Sequence, residues 1–285
     1  MREKFIKYAE HLAKNNATPE LVKDLKEIFC ENGMFHEEGA CLEKLFHITH
    51  EPELFRELGE IFQYKLRNFN VANAAYNQYL YHTDKAFFEN YSKNLTSMGY
   101  SHINAENQEE KNPEDLILLC DKFDLIVFMM ICLCRNKAYD EIIKLKEYLL
   151  QFKEQIISYK SDSEPDYGYM NDLENTEKHL SEILSEVRNR NDINEFAIML
   201  NPESKRAYIN VLDDSITYKK YEDAIKFYND VYCENYKLAS CDSISKICWH
   251  VSDFYRDCYE FYDAVRLQKI ALELDLNISG EKCNA

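Results

Sequence analysis

Glycine and proline are scarce in this chain, and their scarcity strongly limits what the chain can fold into. The 285 residues include only 6 glycines and 5 prolines. A sheet protein needs many tight turns, and glycine and proline are the residues that such turns use most. The sequence therefore predicts an all-α fold, with a core that a chain of this length can bury.

The charge of the chain disfavours several classes of partner. The formal net charge of −17 disfavours nucleic acids and anionic membrane surfaces, because both require a basic face on the protein. The longest apolar run, residues 125–134, is too short to span a bilayer. Residues 1–5 carry charges where a signal peptide needs apolar residues, so we expect a cytoplasmic protein. The acidity itself indicates either solubility or attraction to a basic partner.

The cysteines and histidines predict neither disulfides nor a metal site. Ten cysteines are present, and several lie among apolar residues of helical segments, as Cys132 and Cys248 do. Buried cysteine behaves as a small apolar residue, so we expect free thiols in a reducing compartment. The densest group of potential ligands comprises Cys30, His36, Cys41, His47 and His50. Only His47 and His50 form a tight pair, whereas a zinc site needs two such pairs.

The sequence contains no recognisable catalytic motif. A glycine-rich phosphate loop is missing, and His36-Glu37-Glu38 lacks the second histidine of a zinc-protease motif. Pairs of carboxylates such as Glu109-Glu110 lie in polar segments, where nothing indicates a raised pKa. We therefore expect no enzymatic activity, no catalytic residue, no metal and no cofactor.

Polar segments divide the chain into several helical parts. The predicted first half has N-terminal helices over 1–50 (a cap or a degenerate repeat), a hairpin plus a helix over 51–100, a polar loop over 101–113 and a helical hairpin over 114–160. The predicted second half has an acidic loop over 161–168, a long or broken helix plus two tandem hairpins over 169–275, and a tail over 276–285. Thr18 and Pro19 are typical of a helix start, and Gly33 is typical of a helix end.

One helical-hairpin pattern occurs twice between residues 205 and 275. The first copy contains Val211, Leu212, Tyr221, Ala224, Tyr228 and Val231, and the second contains Val251, Ser252, Tyr255, Phe261, Ala264 and Ala271. A related set with Leu58-Gly59 lies upstream, and the hairpin over 114–160 has Ile142 at the small-residue position. This pattern resembles the tetratricopeptide repeat (TPR), although Ala224 and Ala264 lie forty residues apart rather than about 34.

The TPR resemblance implies antiparallel hairpins stacked as a right-handed superhelix, with a partner bound on the concave face. The first helix of each hairpin would line that face. The residues predicted to contact the partner are Arg56, Glu60, Gln63, Tyr64, Arg135, Arg206, Asp213, Trp249, Asp253 and Arg256. Trp249 has two interpretations, a binding anchor or a core residue in a shifted register, because Cys248 occupies the packing position of the family's tryptophan.

The function that these features predict is a non-catalytic interaction scaffold or adaptor for a protein or peptide. A divergent 14-3-3-like phosphopeptide binder is one alternative, since that family is similar in size, acidity and helix content. An accessory domain of an enzyme such as a glycosyltransferase is another. A clamp for a terminal carboxylate is disfavoured, because Asp213 and Asp253 lie between Arg206 and Arg256. The partner is predicted to be neither nucleic acid nor membrane, it could be phosphorylated, and a homodimer is possible.

Overall fold

Every regular element in the described part of the chain is a helix. The computed structural model describes residues 17–85, 88–89, 113–160 and 167–283. Within these ranges the all-α prediction is confirmed. The chain forms two compact units, Met1–Pro165 and Asp166–Ala285, which divide within the predicted acidic loop 161–168. Residues 2–15, most of 85–98 and most of 101–113, for which helices and a loop are predicted, lie outside the described residues.

The first unit consists of helices that pack pairwise in chain order. The helices are α1 (Pro19–Glu31), α2 (Phe35–Thr49), α3 (Glu53–Glu60, continued by a π-turn at Ile61–Lys65), α4 (Phe69–Thr83), α5 (Pro113–Arg135) and α6 (Tyr139–Lys160). Helix α1 packs on α2, α3 on α4 and α5 on α6, and further contacts join α2 to α3 and α4 to α5. Consecutive helices in the described part of this unit therefore pack on one another.

Helix α1 shows how the local sequence sets the ends of these helices. The backbone N–H of Leu21 donates to Thr18 Oγ1 at 3.4 Å, and Pro19 occupies the first turn, where it needs no backbone donor. Gly33 follows the helix end with a φ of +67°, which glycine adopts without strain. Both boundaries agree with the sequence prediction.

The second unit contains the two tandem hairpins. Its helices are α7 (Tyr167–Leu184), α8 (Asn191–Leu200), α9 (Lys205–Thr217), α10 (Tyr221–Phe227, continued by a π-turn at Tyr228–Cys233 and a last turn at Glu234–Tyr236), α11 (Ile244–Asp257) and α12 (Phe261–Cys283). The predicted helix over 169–200 is broken into α7 and α8. Helix α12 continues to Cys283, where the sequence predicts a tail.

Helix α9 is buried along almost its whole length. Every residue from 207 to 216 is buried, and α8, α10 and α11 all pack against this helix. A helix that is buried all round is normally apolar, but α9 carries several polar side chains. These side chains position the candidate site described below.

None of the described helices combines the length and the apolar character that are needed to cross a membrane. The buried cysteines Cys41, Cys132 and Cys248 are free thiols. Burial raises the pKa of Cys41 to about 11 and that of Cys248 to about 12. These thiols are packing residues rather than nucleophiles, because nucleophilic cysteine requires the thiolate.

Gly59 lies at the closest approach of α3 and α4. A Cβ atom at this position would lie 2.4 Å from the ring of Tyr76. That ring is fully buried, and its hydroxyl donates to Gln63 Oε1 at 2.8 Å, so it has little freedom to move. The Leu58-Gly59 pair of the sequence pattern therefore lies at a close helix contact.

We expect Gly59→Ala to destabilise the first unit by about 1–3 kcal/mol, because the added methyl group overlaps a ring that cannot move away. Urea unfolding followed by circular dichroism measures this change. Gly39→Ala is the matched control. Its Cβ would lie 3.2 Å from the side-chain ends of Leu58 and Phe62, which can shift, so we expect unfolding within about 1 kcal/mol of wild type. Equal effects of the two substitutions would contradict this account of Gly59.

Candidate functional site

Four polar residues between positions 210 and 215 of α9 are buried. They are Asn210, Asp213, Asp214 and Ser215. Burying a polar group without a hydrogen-bond partner is costly, so the partners of these side chains determine how the surrounding elements are arranged. Those partners come from the loop before α8 and from α11 and α12.

Two buried asparagines fix the loop between α7 and α8. The Asn210 side-chain amide donates to the carbonyl of Ser185 at 2.8 Å and to Asn194 Oδ1 at 3.0 Å. The Asn194 amide donates to the carbonyl of Val187 at 2.9 Å. Asn189 adopts a φ of +60°, a conformation that asparagine tolerates better than most residues. The loop thereby places Arg188 and Asn189 beside α9.

An ion pair connects α12 to α9. Arg266 Nη2 donates to both carboxylate oxygens of Asp213, at 2.6 and 2.7 Å, and Nη1 donates to Thr217 Oγ1 at 2.9 Å. The Tyr255 hydroxyl of α11 donates to Asp213 Oδ2 at 2.9 Å. Asp213 is only 8% exposed. Its charge is thus compensated by one cation and two hydroxyl groups, since Thr217 also donates to it at 3.3 Å.

A second group of ion pairs joins the loop to the start of α12. Arg188 Nη1 donates to Asp263 Oδ2 at 2.6 Å, and Nη2 pairs with Glu260. Arg206 of α9 pairs with the other carboxylate oxygen of Glu260. The Arg188 guanidinium also lies over the ring of Tyr255, 5.3 Å from its centroid. Each of these arginines therefore has at least one carboxylate partner.

Asp214 differs from Asp213, Glu260 and Asp263. Among the described side chains it has no cation within ion-pair distance. It accepts a hydrogen bond from the backbone N–H of Asn189. Burial, together with the neighbouring charge of Asp213, raises the pKa of Asp214 from 3.8 to about 6. Asp214 is thus ionised at neutral pH at a cost in folding free energy.

These side chains enclose a small cleft with a volume of about 190 Å³. The residues introduced above line it, from the loop (Arg188, Asn189), α9 (Asn210, Asp213, Asp214, Thr217), Tyr255 of α11 and α12 (Asp263, Arg266). Because both cleft arginines are already paired with carboxylates, the cleft offers no free positive charge to an anion.

The predicted contact residues of the first unit lie partly at its surface. Arg56 donates to Asp121 of α5 at 3.2 Å and lies 3.5 Å from Glu60. Tyr64 is 53% exposed, and Arg135 is exposed at the end of α5. Arg56 thus connects two helices of its own unit in addition to reaching the surface.

Gln63 does not lie at the surface where the sequence pattern places it. It is 3% exposed, accepts the hydroxyl proton of Tyr76 and lies 3.6 Å from the thiol of Cys132. The reason is the π-turn at Ile61–Lys65, which changes the helical period after Glu60. An extrapolation of the α-helical period from Arg56 therefore assigns Gln63 to the wrong face.

The predicted contact residues of the second unit separate into two groups. Arg206 and Asp213 belong to the ion pairs of the buried helix α9, so the structure does not present Asp213 on an open face. Trp249, Asp253 and Arg256 lie at the surface of α11. Arg256 pairs with Asp253 at 3.0 Å and not with the partners of Arg206, so the two arginines do not form a clamp.

Trp249 is 36% exposed, whereas the neighbouring Cys248 is fully buried. Trp249 is therefore not a core residue in a shifted register, because the core position belongs to Cys248. Lys246, Trp249, Asp253 and Arg256 are all exposed and are spaced by three or four residues. They therefore form one stripe on α11, which we call the Trp249 stripe.

Most residues of the cleft were not predicted from the sequence. The overlooked residues are Arg188, Asn189, Asn210, Asp214, Thr217, Tyr255, Asp263 and Arg266. One available signal was the run of polar residues in α9, where Asn210, Asp213 and Asp214 lie between apolar residues of a helix with an otherwise apolar pattern. Polar residues at core positions often have a specific partner or function.

No group of three or more His, Cys, Asp or Glu side chains in the described ranges is arranged to hold a metal ion. The chain matches no protein-family model, and no curated protein shows significant similarity to it. The functional argument therefore depends on the cleft and on the Trp249 stripe.

We expect Asp214→Asn to stabilise the protein at pH 7.5 by roughly 2–3 kcal/mol. The folded-state pKa of about 6 exceeds the unfolded value of 3.8, so the folded state binds more protons between these values and loses stability as the pH rises through them. Asparagine cannot ionise and does not incur this loss. Urea unfolding at several pH values should show the difference from wild type shrinking to about half at pH 5.

The control for this measurement is Asp230→Asn, which removes one exposed acidic charge from the continuation of α10. Its effect should stay within about 0.5 kcal/mol at both pH values. A pH-independent gain for Asp214→Asn would show that the carboxylate is not the source of the instability.

We also expect Arg266→Gln to destabilise the second unit by about 2–4 kcal/mol, since it leaves the carboxylate of Asp213 buried without its cation. Arg256→Gln is the matched control, because Arg256 and its partner Asp253 are each more than half exposed. Such surface pairs contribute about 0–1 kcal/mol. Thermal and urea unfolding of both variants give the comparison, and similar losses would contradict the importance of the buried pair.

Proposed function

We propose that this chain is a non-catalytic helical-repeat protein of the cytoplasm that binds a peptide or a helix of a protein partner. The observation that carries the proposal is the exposure of Trp249, the single tryptophan of the chain, in a stripe of charged residues on α11. The partner is bound along this stripe, with Trp249 as the central apolar contact and Lys246, Asp253 and Arg256 as its polar surroundings.

The composition of the stripe fits this role. Tryptophan provides a large, rigid contact area, and it is enriched among the residues that contribute most to protein–protein affinity. The Asp253–Arg256 pair is exposed, with 53% and 55% of the two side chains accessible. Because such a pair contributes little to folding, either charge can pair with a partner at small cost.

The position of α11 in the last hairpin suits it for binding a partner. Helix α11 is the first helix of the last hairpin, which it forms with α12. In a TPR-like right-handed superhelix the first helices line the concave face. The Trp249 stripe would then lie on that face, where an extended peptide or a helix is bound by side chains of successive hairpins.

The phosphopeptide alternative is less well supported than this one. Three arginines do come together in the second unit, Arg188, Arg206 and Arg266. All three are paired with carboxylates, and Glu260 alone receives two of them. A phosphate group would have to displace those carboxylates, and loss of the Arg266–Asp213 pair would leave the largely buried Asp213 carboxylate without its cation.

Selection of peptides from a random library displayed on phage tests the proposal. We expect the wild-type protein to enrich peptides with micromolar dissociation constants. Trp249→Ala should weaken their binding by at least tenfold, since loss of a central aromatic contact typically costs more than about 1.4 kcal/mol. The single tryptophan also reports the contact directly, because burial by the peptide shifts its fluorescence to shorter wavelength.

The matched control is Tyr262→Ala, which removes an aromatic side chain that is 83% exposed on α12. The selected peptides should bind this variant as they bind wild type. Peptides that bind Trp249→Ala unchanged, or that bind wild type without a fluorescence shift, would place the interface elsewhere and overturn the assignment to α11.

A further inference from the structure

Helix α12 has two apolar faces, of which one is buried and the other is exposed. The buried face lies in the core of the second unit through Ala264, Leu267 and Ala271. The apolar residues of the exposed face are Phe261, Val265, Leu272 and Leu276. Each of them has more than half of its surface exposed. A helix that packs through a single face normally carries polar residues elsewhere, so α12 has the composition of a helix that is covered on a second face.

The four exposed residues lie in one line along the helix. They are separated by four, seven and four positions in the chain. At 3.6 residues per turn, their side chains therefore point within about 60° of one another. The line is about 22 Å long at a rise of 1.5 Å per residue, and we call it the α12 stripe.

The α12 stripe is symmetric about its midpoint, which lies just after Gln268. Val265 and Leu272 lie equally far from this midpoint on either side, and the same holds for Phe261 and Leu276. An antiparallel pairing of two α12 helices about this point would place Val265 opposite Leu272 of the second copy. It would likewise place Phe261 opposite Leu276. A two-fold dimer requires a patch that is complementary to itself in this way.

We propose that two copies of this chain form an antiparallel dimer through the α12 stripe. The apolar side chains of the two helices are buried against each other, and the removal of their surface from water drives the association. Lys269 and Glu273 flank the stripe, where their side chains are 77% and 61% exposed and lie 3.9 Å apart. The rim of the interface is therefore polar, as it is in most protein–protein interfaces.

The size of the stripe indicates a dimer of moderate strength. Four apolar side chains that are each more than half exposed present on the order of 400 Å² of apolar surface, a patch size that is often functional. A standard interface buries about 800 Å² from each partner. Flanking residues such as Tyr262, which is 83% exposed, supply the remainder. We therefore expect a dissociation constant on the order of micromolar.

The symmetry of the stripe favours a second copy of the chain over other occupants. A peptide or an unrelated helix would require no equal spacing about a midpoint. No charged residue belongs to the stripe itself, so it offers little to a strongly charged partner. An anionic membrane surface is disfavoured by the net charge of −17.

This inference goes beyond the peptide-binding proposal and does not rest on it. The Trp249 stripe belongs to α11, whereas the α12 stripe belongs to the next helix, and different substitutions test the two. Failure of dimerisation leaves the role of Trp249 unaffected, and failure of peptide selection leaves the α12 stripe unaffected.

Sedimentation velocity of the full-length chain at roughly 1 to 200 µM, a range that spans a micromolar dissociation constant, tests the proposal. The mass should rise with concentration from 33.9 kDa toward twice that value. Two copies with a net charge of −17 repel each other, and salt screens this repulsion, so the dimer should become tighter as the salt concentration is raised. A monomer throughout this range, or a dimer that weakens with salt, would overturn the proposal.

Leu272→Glu tests the place of the interface. The substitution buries a charge against Val265 of the second copy and should weaken the dimer at least tenfold. Leu238→Glu is the matched control, because it makes the same change at an exposed leucine outside α12 and should dimerise as wild type does. Circular dichroism checks that both variants fold. An unchanged dimer in Leu272→Glu would place the interface elsewhere. A monomeric wild type that Leu272→Glu destabilises would show that another segment of the chain covers the face, and either result overturns the proposal.

A mixing experiment tests the antiparallel register. Val265→Lys should dimerise as poorly as Leu272→Glu, because each homodimer buries two uncompensated charges. In a dimer of one copy of each variant, the introduced lysine faces the introduced glutamate, and the other half of the interface keeps Val265 opposite Leu272. The mixture should therefore associate at least tenfold more tightly than either variant alone. A parallel dimer, in which each residue faces its own copy, would show no such recovery and would overturn the proposed pairing.

Discussion

Polar groups on a buried helix are costly unless they are hydrogen-bonded, and α9 carries several such groups in the second unit. Its asparagine fixes the loop before α8, and its aspartates receive Arg266 from α12 and a hydroxyl from α11. Because these contacts reach residues far apart in the chain, they determine the relative positions of the loop and the last hairpin. The arrangement of the cleft follows from the polar side chains of one helix.

The pairing of charges decides which chemistry remains available in this unit. An acidic chain would be expected to use its few arginines to bind anionic groups or to neutralise its own carboxylates. The structure shows the second use, since Arg188, Arg206 and Arg266 are all engaged with Asp or Glu. Of the three aspartates that line the cleft, Asp213 and Asp263 each lie within ion-pair distance of an arginine, and Asp214 has no such partner among the described residues.

The cleft and the Trp249 stripe differ in how they are built. The stripe consists of exposed side chains of one helix, and their positions depend only on the helical period. The cleft combines a loop with three helices, α9, α11 and α12, and includes buried groups whose ionisation is costly. A surface stripe tolerates substitution well, whereas a buried polar network loses stability when one partner is removed. The two sites therefore respond to mutation in different ways.

The sequence by itself determined the all-α class and the ends of α1. These features depend on local propensity and on contacts between neighbours in the chain. It did not determine that the π-turn at Ile61–Lys65 buries Gln63, that Trp249 is exposed, or that Asp213 is paired with Arg266. Only the tertiary structure decided these, because helical periodicity says which residues share a face but not which face another helix covers.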